Sequence, residues 1–415
     1  MTLRLMFLSD KIVGGTSAYS KVTYETCTRL AKLGYDVAHI PMGRANRMGK
    51  WVYQGVLIYP SGNDPFGEDV AIDHYIDYKA DLLITLKDLW CFQSLHRWAI
   101  NLVPIVPIDH DPVSPMITSR LHTAFRVIAI SRFGQRQLKQ SGIDSVYIPH
   151  GVAVDTYKPL EEHKSECKRL WFIKDPDDFT VLFVGRNQSR KMIPHILKAY
   201  KLFKERNPDV KSHFLLWTDV QPVRREEYEG AVGLGVADVG VNLLPEIMNL
   251  GLGEDVLWPD AKLIREGIPE WAGSDFQGGW DMVKLYAASD VVISLSGEGF
   301  WLPGLEAQAC GKPIICANYA AAPEICGAGL TVDVEDYVIL NTPGCRYPIC
   351  SLDKAAEALA KIANADPQKL ARKARAFAER YDWNIIMERY FKPFLEECET
   401  ELFPLITSEA LKTWA

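Results

Sequence analysis

Short, nearly continuous apolar segments alternate with helical patterns along the first third of the chain. Such segments are typical of parallel strands that are covered on both faces. A helical pattern joins the first two segments, with Thr16 or Ser17 as its N-cap and Gly34 after its last turn. We interpret this as a strand–helix–strand unit, because a parallel connection needs a crossover. The predicted strands of this series are 4–10, 36–40, 81–86, 104–109, 126–131 and 145–151.

A second series of the same kind follows a polar stretch, residues 152–178, which we interpret as a linker or hinge. Helical patterns again separate the apolar segments, for example over residues 192–206, and we interpret the glycine-rich stretch 229–241 as a loop. The chain is therefore predicted to be an α/β protein with two Rossmann-like, doubly wound domains that face a central cleft. The predicted strands of this series are 179–186, 213–219, 255–260, 290–296, 313–318 and 330–334.

The length of the chain agrees with two domains, because 415 residues exceed the size at which a single hydrophobic core keeps growing. We place the N-terminal domain at residues 1–158 and the C-terminal domain at residues 175–390. Helical patterns continue to the end of the sequence. Residues 391–415 are predicted to form a helical tail that can pack back on the N-terminal domain.

Composition narrows the class of protein. A hydrophobic content of 48% and a charged content of 24% are ordinary for a globular protein. No run of 18 apolar residues predicts a membrane span, and the N-terminal apolar stretch is too short for a signal peptide. Nine cysteines without framework spacing predict reduced thiols and a cytoplasmic protein. The pair Cys345 and Cys350 lacks partners at zinc-site spacing, so we expect no metal.

Charge is unevenly distributed. The net charge is −7, yet residues 1–150 hold sixteen Lys/Arg against thirteen Asp/Glu, which makes that part about +3 and the remainder about −10. A basic stretch within residues 120–139 contains five cations and no acid. It is either a solvated helix face or a patch for an anionic acceptor, such as a lipid headgroup or a nucleic acid.

Two loops at predicted strand ends have the chemistry of a phosphate site. Ligands of open parallel sheets bind beyond the carboxyl ends of the strands. Gly14 and Gly15 follow the first strand and precede a helix, where backbone amides can approach an anion, although a plain tight turn has the same sequence. Arg186, Arg190 and Lys191 follow the first strand of the second series, and three cations there suit a diphosphate better than a solvated turn.

The stretch SGEGFWLPGLEAQACGKPII, residues 296–315, carries two carboxylates. Glu298 lies in a glycine-rich turn after a predicted strand, and Glu306 lies near the start of the next predicted helix, which Pro303 can open. The two can be the acid and nucleophile of a glycosidase, acceptors for hydroxyl groups, or simply a loop charge and a helix-start charge. The residues alone do not choose between these readings.

The segment E-G-F-x-L-P-x-L-E-A-x-A-C-G-K-P-I-I resembles the E-x7-E signature of the family-4 retaining glycosyltransferases, which have the GT-B fold. Further segments resemble landmarks of that family in the right order along most of the chain. They are Gly14-Gly15, residues 128–133 (IAISRF), 147–159 (YIPHGVAVDTYKP), 183–186 (FVGR) with Lys191, 244–260 and 284–294.

The resemblance implies a role for each matching residue of the donor site. Glu306 would hold the ribose hydroxyls of a nucleotide-sugar, and Glu298 would contact the hydroxyls of the donor sugar. Arg186 and Lys191 would neutralise the diphosphate, which can replace a metal ion. The other implied donor-site residues are Gly14, Gly15, Gly299, Phe300, Trp301 and Leu302.

The same resemblance places His110 near the sugar, with Asp109 and Asp111 as rivals in one loop and a structural loop histidine as the alternative. The implied catalytic residues are thus Glu298, His110, Arg186 and Lys191, and neither glutamate is assigned as a nucleophile. The chain departs from the family at Trp301, where a glycine is usual. That ring could close over the donor, stack on the acceptor or point into the core.

The implied activity is transfer of a hexose from a nucleotide-sugar to an acceptor hydroxyl, with retention and without a cofactor or metal. UDP-glucose and GDP-mannose are the expected donors, and the N-terminal domain is expected to bind the acceptor. A lipid, a nucleic acid and a small sugar all stay open as acceptors, with a possible anionic-surface contact through residues 120–139. The alternatives are another GT-B enzyme, such as an epimerase or phosphorylase, and a non-catalytic nucleotide-sugar binder.

Overall fold

The computed structural model of the chain describes residues 2–15, 17–43, 46, 48–222, 238, 240–259, 282–340 and 344–402. Two large sheets, each flanked by helices, form an N lobe and a C lobe. This is the two-domain α/β architecture with parallel sheets that the alternating pattern predicts. No helix among these residues combines the length and apolar character needed to cross a membrane.

The N lobe is built on an eight-stranded sheet in the order β3-β4-β2-β1-β5-β6-β7-β8. All neighbouring strands pair in parallel except β3, which is antiparallel to β4. Because β2 and β5 lie on opposite sides of β1, the strand order reverses there, and loops at this edge border a crevice. The strands are β1 Arg4–Ser9, β2 Asp36–Pro41, β3 Trp51–Tyr53, β4 Val56–Ile58, β5 Leu82–Leu86, β6 Leu102–Val106, β7 Ile128–Ala129 and β8 Val146–Tyr147.

Four α-helices of the N lobe cover this sheet. Ser17 caps the first of them by accepting a hydrogen bond from the Ser20 amide at 3.0 Å. Gly34 follows the helix with φ +91°, a conformation that favours glycine. Thr16, the other predicted cap, lies outside the described residues. The helices are α1 Ala18–Lys32, α2 Glu68–Tyr78, α3 Pro115–Thr118 and α4 Arg132–Gln140.

The C lobe has a six-stranded, all-parallel sheet in the order β11-β10-β9-β12-β13-β14. Here β9 lies between β10 and β12, so the crevice of this sheet opens beyond β9 and β12. A two-stranded antiparallel hairpin, β15–β16, follows the sheet. The strands are β9 Phe179–Val184, β10 Ser212–Trp217, β11 Val256–Leu257, β12 Val291–Ser294, β13 Ile314–Ala317, β14 Gly329–Val332, β15 Val334–Leu340 and β16 Cys345–Cys350.

Helices of the C lobe pack on both faces of its sheet, and the last described helices return to the N lobe. Asn384, for example, accepts a hydrogen bond from Arg29 at 2.6 Å. The helices are α5 Lys164–Arg169, α6 Ile193–Arg206, α7 Leu244–Asn249, α8 Met282–Ala287, α9 Leu302–Ala309, α10 Ala322–Ile325, α11 Leu352–Ala363, α12 Pro367–Ala378, α13 Trp383–Ile386 and α14 Lys392–Leu402, with a π-helical turn at Met387–Phe391.

The chain passes between the lobes twice, side by side. The Val152 amide donates to the Tyr381 carbonyl at 2.8 Å, and the Trp383 amide donates to the Val152 carbonyl at 3.3 Å. Gly151 is needed at this crossing, because a Cβ there would lie 2.6 Å from the Trp383 ring. These two adjacent connections are where a hinge motion between the lobes would be absorbed.

The sequence overestimates several short elements. Of the predicted strand 145–151 only Val146–Tyr147 is a strand, and of 255–260 only Val256–Leu257. The polar stretch 152–178 also includes helix α5, which is packed rather than solvated. The buried Lys168 amine of α5 donates to the Pro176 carbonyl at 2.9 Å and to Asp290 at 3.0 Å. The linker therefore holds a buried cation through its backbone carbonyls, which the composition alone does not reveal.

Candidate active site

Loops that follow strands of both sheets meet between the lobes. The glycine-rich turn after β12 packs directly on the loop after β6. A Cβ on Gly297 would lie 2.4 Å from the Asp109 carbonyl oxygen, and one on Gly299 would lie 3.3 Å from the Pro107 Cβ. Glycine is therefore required at Gly297 by the close approach of another backbone. The two lobes touch at the point where the predicted site residues lie.

Lys191 and Glu298 form a two-pronged ion pair. The lysine Nζ lies 2.6 Å from Oε1 and 2.7 Å from Oε2 of the glutamate. Ser296 donates a further hydrogen bond to Oε1 at 2.8 Å. Burial, followed by repulsion from Arg190, lowers the pKa of Lys191, although Glu298 opposes the shift. The loop after β9 thus supplies a cation to the carboxylate after β12.

Arg190 extends from the same loop to the N lobe. Its Nη1 lies 3.3 Å from Oδ2 of Asp109, and the other carboxylate oxygen, Oδ1, lies 2.7 Å from Nδ1 of His110. Burial would raise the pKa of Asp109, but the His110 hydrogen bond and the Arg190 charge outweigh burial and lower it. An arginine, an aspartate and a histidine from two lobes therefore form one connected group.

The imidazole of His110 is fixed by contacts at both nitrogens. Nε2 accepts a hydrogen bond from the Ser114 amide at 3.1 Å, so Nδ1 carries the proton that Asp109 accepts. Burial lowers the pKa of the ring, but Asp109 and then Cys345 outweigh burial and raise it. The Ser114 amide opposes that rise, because a second proton on Nε2 would meet its N–H. The ring is held in one orientation, facing the Arg190 loop.

Glu306 lies on α9 and is almost fully buried. Its Oε1 accepts from Lys21 of the N lobe at 2.5 Å, and its Oε2 accepts from the Tyr286 hydroxyl at 2.8 Å. Burial, followed by the negative charge of Glu306, raises the pKa of Tyr286, which keeps that hydroxyl a donor. The second glutamate of the signature is therefore also paired with a lysine, here from the other lobe.

The loop after β1 is compact. Gly14 has φ +64°, which favours glycine, and a Cβ on Gly15 would lie 2.3 Å from both the Lys11 carbonyl oxygen and the Ser20 hydroxyl. Both glycines are thus required by the local backbone. Their position before α1 leaves helix amides at this edge of the sheet.

Arg186 approaches this first loop from the C lobe. Burial and the neighbouring Arg190 lower the pKa of its guanidinium, while the charge of Asp10 opposes the shift. Asp10 itself is held by Lys87 at 3.0 Å. The charge of Arg190 acts on Arg186, so the structure brings Arg186, Arg190 and Lys191 to one end of the cleft.

Trp301 lies in the turn that opens α9, at the position where the resemblance leads us to expect a glycine. Trp301 has φ +65°, a left-handed conformation that non-glycine residues rarely adopt. The ring is 4% exposed and lies over its own helix, where a Cβ on Gly304 would be 2.4 Å from Cε3. Of the three predicted positions for Trp301, this structure has the ring in the core. Phe300 and Leu302 beside it are also buried, with the Phe300 ring 5.1 Å from that of His150.

Some residues of the cleft were not among the predicted ones. Arg190 was recognised only as part of a basic turn. Asp88 follows β5, so the rule that ligands bind beyond strand ends could have identified it. Burial, followed by the charge of Asp109, raises the pKa of Asp88 to about 6. Tyr319 donates to the Arg346 carbonyl and accepts from the Asp111 amide, both at 2.9 Å, and so joins the β15–β16 hairpin to the loop after β6. No local signal in the sequence marks Tyr319.

Cations of the basic stretch at residues 120–139 contact other residues of the protein. Four of its cations have partners among the described residues, two of them carboxylates. These pairings reduce the charge available to an anionic surface, and the predicted contact stays untested. The partners are the Phe92 and Met116 carbonyls for Arg120, Glu401 for Arg126, the Tyr147 ring for Arg132 and Glu324 for Arg136.

Comparison with known proteins finds similarity to glycosyltransferases. Residues 253–343 match the family described as glycosyl transferases group 1. A curated relative, D-inositol 3-phosphate glycosyltransferase of Saccharomonospora viridis, is 30% identical over 218 residues, which are 50% of this chain and 41% of the relative. The chain thus matches less than half of that relative's length.

Solved structures resemble the chain over nearly its whole length. Sucrose-phosphate synthase from Thermosynechococcus elongatus has a TM-score of 0.67 at 16% identity, covering 95% of this chain and 99% of the synthase. Anabaena Alr3699/HepE in complex with UDP-glucose has a TM-score of 0.64 at 17% identity, covering 94% and 99%. The chain therefore has the GT-B fold, and its residues 253–343 are similar to the group 1 glycosyltransferases.

Proposed function

We propose that the protein is a retaining glycosyltransferase that moves a hexose from a nucleoside diphosphate sugar to an acceptor hydroxyl. One observation carries the proposal. Around a single point between the lobes, Lys191 bonds both oxygens of Glu298, and Arg190 bonds the Asp109–His110 pair. Cations at strand ends beside buried acceptors are what a sugar bound to a diphosphate requires.

The cations have a direct role in this chemistry. Negative charge grows on the departing diphosphate as the bond to the sugar breaks, and fixed donors aimed at that charge stabilise the transition state. Arg186, Arg190 and Lys191 supply this charge from one loop of the C lobe. On donor binding, Lys191 turns from Glu298 to the phosphate, which leaves the carboxylate of Glu298 to accept hydrogen bonds from the sugar. With three cations in place, we propose that the reaction needs no metal ion.

The N lobe supplies the other side of the reaction. His110, held in one orientation by Asp109 and Ser114, faces the sugar, and the acceptor enters beside Asp88. We propose that Asp88, which follows β5 at this edge of the N-lobe sheet, accepts a hydrogen bond from the acceptor. The donor sugar and the acceptor hydroxyl are thereby aligned with each other before transfer.

The test is transfer by the full-length protein in the presence of EDTA. UDP-glucose and GDP-mannose are offered with several acceptors, including D-inositol 3-phosphate, for which the Saccharomonospora viridis relative is named. We expect release of the nucleoside diphosphate and a product with the donor's anomeric configuration, read from the anomeric proton coupling by NMR. Nucleotide binding without transfer to any acceptor would favour a non-catalytic binder, and an inverted product would refute retention.

Variants locate the activity in the proposed site. Lys191→Met and Arg190→Met each remove a donor for the developing charge, and we expect kcat to fall about 100-fold in each. Glu357→Gln on the exposed face of α11 is the matched control, with unchanged kcat expected. Equal activity in all three variants would place the reaction elsewhere.

The nucleotide is identified by a separate measurement. UDP, GDP and ADP are each added at saturating concentration, and the unfolding temperature is recorded. A ligand at 100 times its Kd stabilises the folded protein by about 2.7 kcal/mol. We expect UDP or GDP to raise the temperature and ADP to have the smallest effect.

A further inference from the structure

A compact cluster joins the two lobes behind the Lys191–Glu298 pair. Lys21 of α1 extends from the N lobe to Glu306 of α9, with its Nζ 2.5 Å from Oε1. The same Nζ lies 2.8 Å from the Tyr157 hydroxyl and 5.1 Å from the centre of the Tyr157 ring. Tyr286 donates to the other carboxylate oxygen at 2.8 Å. Each oxygen of Glu306 therefore has a partner from the protein.

This cluster closes off the carboxylate. The side chain of Lys21 is 14% exposed and that of Glu306 only 3% exposed. Two ribose hydroxyls cannot reach a carboxylate that is covered by an ammonium group on one side and a phenol on the other. Tyr286 belongs to the same lobe as Glu306, whereas Lys21 belongs to the opposite lobe. Lys21 is thus the partner that a movement between the lobes can withdraw.

We propose that Lys21 sets the nucleotide affinity of the protein by competing with the ribose of the donor for Glu306. The inference rests on the proposed function, in which Glu306 accepts the ribose hydroxyls. In the ligand-free protein the ammonium of Lys21 neutralises the buried carboxylate and ties the lobes together. When the nucleotide binds, two hydroxyl groups replace the ammonium as donors to Glu306.

The displaced ammonium has a place to go. Tyr157 offers Lys21 both a hydroxyl acceptor and an aromatic face, and a cation over such a ring is stabilised when it leaves water. The exchange is therefore between a lysine that contacts both Glu306 and Tyr157 and a lysine that has lost Glu306 but keeps Tyr157. The tyrosine keeps Lys21 close enough to return when the nucleotide leaves.

The test compares nucleotide binding by the wild-type protein with that of Lys21→Met, which keeps the length of the side chain and removes its charge. UDP and GDP are titrated by calorimetry, and the nucleotide that binds is then titrated as its 2′-deoxy form. We expect Lys21→Met to bind the ribonucleotide about tenfold tighter, because coupling between close buried charges is at least of that size. We expect the gain to shrink with the 2′-deoxy nucleotide, which lacks one of the replacing hydroxyls.

Two further variants separate competition from a general structural effect. Lys312→Met removes a different buried lysine, which lies in the C lobe with its Nζ 2.9 Å from Glu161. This variant should bind the nucleotide with the affinity of the wild type. Lys21→Arg restores the charge and should return the affinity toward that of the wild type. Far-UV circular dichroism on each variant confirms folding.

The outcomes distinguish this inference from the function on which it rests. If the wild type binds none of UDP, GDP and ADP, the proposed function and the role of Lys21 are both refuted. If the wild type binds a nucleotide and Lys21→Met binds it equally or more weakly, only competition by Lys21 is refuted. A gain of the same size for the ribo and the 2′-deoxy nucleotide would refute exchange at the ribose.

Discussion

Substitutions at Lys191 and Glu298 should have strongly non-additive effects on the free energy of unfolding. Its side chains are only 12% and 9% exposed, and the lysine contacts both carboxylate oxygens at 2.6 and 2.7 Å. Removal of one partner of a buried pair leaves an uncompensated charge and costs about 3–5 kcal/mol, whereas replacement of both costs far less. Because Ser294 and Ser296 still contact Glu298, we place each single variant at the lower end, about 3 kcal/mol.

The variants are Lys191→Met, Glu298→Gln and the double variant. If the charges compensate one another, the double variant is destabilised by only about 1 kcal/mol, and the coupling energy is then about 5 kcal/mol. Urea unfolding followed by tryptophan fluorescence measures each free energy of unfolding, with the transition of the C lobe fitted separately because two domains can unfold independently.

A second pair in the same lobe provides the control. Lys354 and Asp333 are 2.6 Å apart, but their side chains are 56% and 55% exposed. Water screens an exposed pair, so Lys354→Met with Asp333→Asn should show no measurable coupling. Strictly additive effects at Lys191 and Glu298 would refute the reasoning, since they would mean that neither charge needs the other in the ligand-free cleft.

Three further outcomes follow from the structure. Tyr319→Phe should lower kcat several-fold with unchanged nucleotide Kd, because the loop after β6 loses its hydrogen bond to the hydroxyl. The control Tyr200→Phe removes a core hydroxyl 3.1 Å from Ser212 and should leave kcat unchanged. Equal kcat in both variants would contradict this prediction. Gly297→Ala should push the lobes apart, because its Cβ would lie 2.4 Å from the Asp109 carbonyl oxygen. X-ray scattering should then give a larger radius of gyration, and an unchanged radius would disprove this prediction. Burial lowers the pKa of His39 to about 4 and that of His150 to about 3. Below pH 6.5 the unfolded chain therefore binds more protons than the folded protein, and the free energy of unfolding should fall by about 2 kcal/mol per ring between pH 7.5 and 5. His150→Gln should show a smaller loss over that range in urea unfolding, and an equal loss would exclude His150 as a source.

The sequence was sufficient to predict those parts of the fold and site that depend on local pattern. Near-continuous apolar strands, the Ser17 cap and a helix opening beside Pro303 depend on neighbours in the chain. The rule that ligands bind beyond strand ends directed attention to Arg186, Lys191 and both glutamates. The structure puts Arg186, Lys191 and Glu298 after their strands, whereas Glu306 is the fifth residue of α9 and lies beyond its first turn.

The pairing of those residues was not predictable from one sequence. Lys21 and Glu306 are 285 residues apart, and Lys191 and Glu298 are 107 apart. Such contacts depend on how two lobes are oriented, and no periodicity or local motif reports that. The β15–β16 hairpin was missed for a related reason. Its exposed strand alternates around Tyr337 without a core of its own, so the pattern there was too weak to predict a strand.

Three cations of the ligand-free cleft are each paired with a carboxylate, and the fourth, Arg186, interacts with the charge of Asp10. Lys191 neutralises Glu298, Lys21 neutralises Glu306 and Arg190 neutralises Asp109. A donor that carries both a diphosphate and hydroxyl groups can replace the protein partner on each side, an anion for the cations and hydroxyl groups for the carboxylates. Each glutamate then keeps hydrogen-bond donors, which a bare phosphate ion cannot supply. We therefore expect the protein to bind a whole nucleotide-sugar more tightly than phosphate alone.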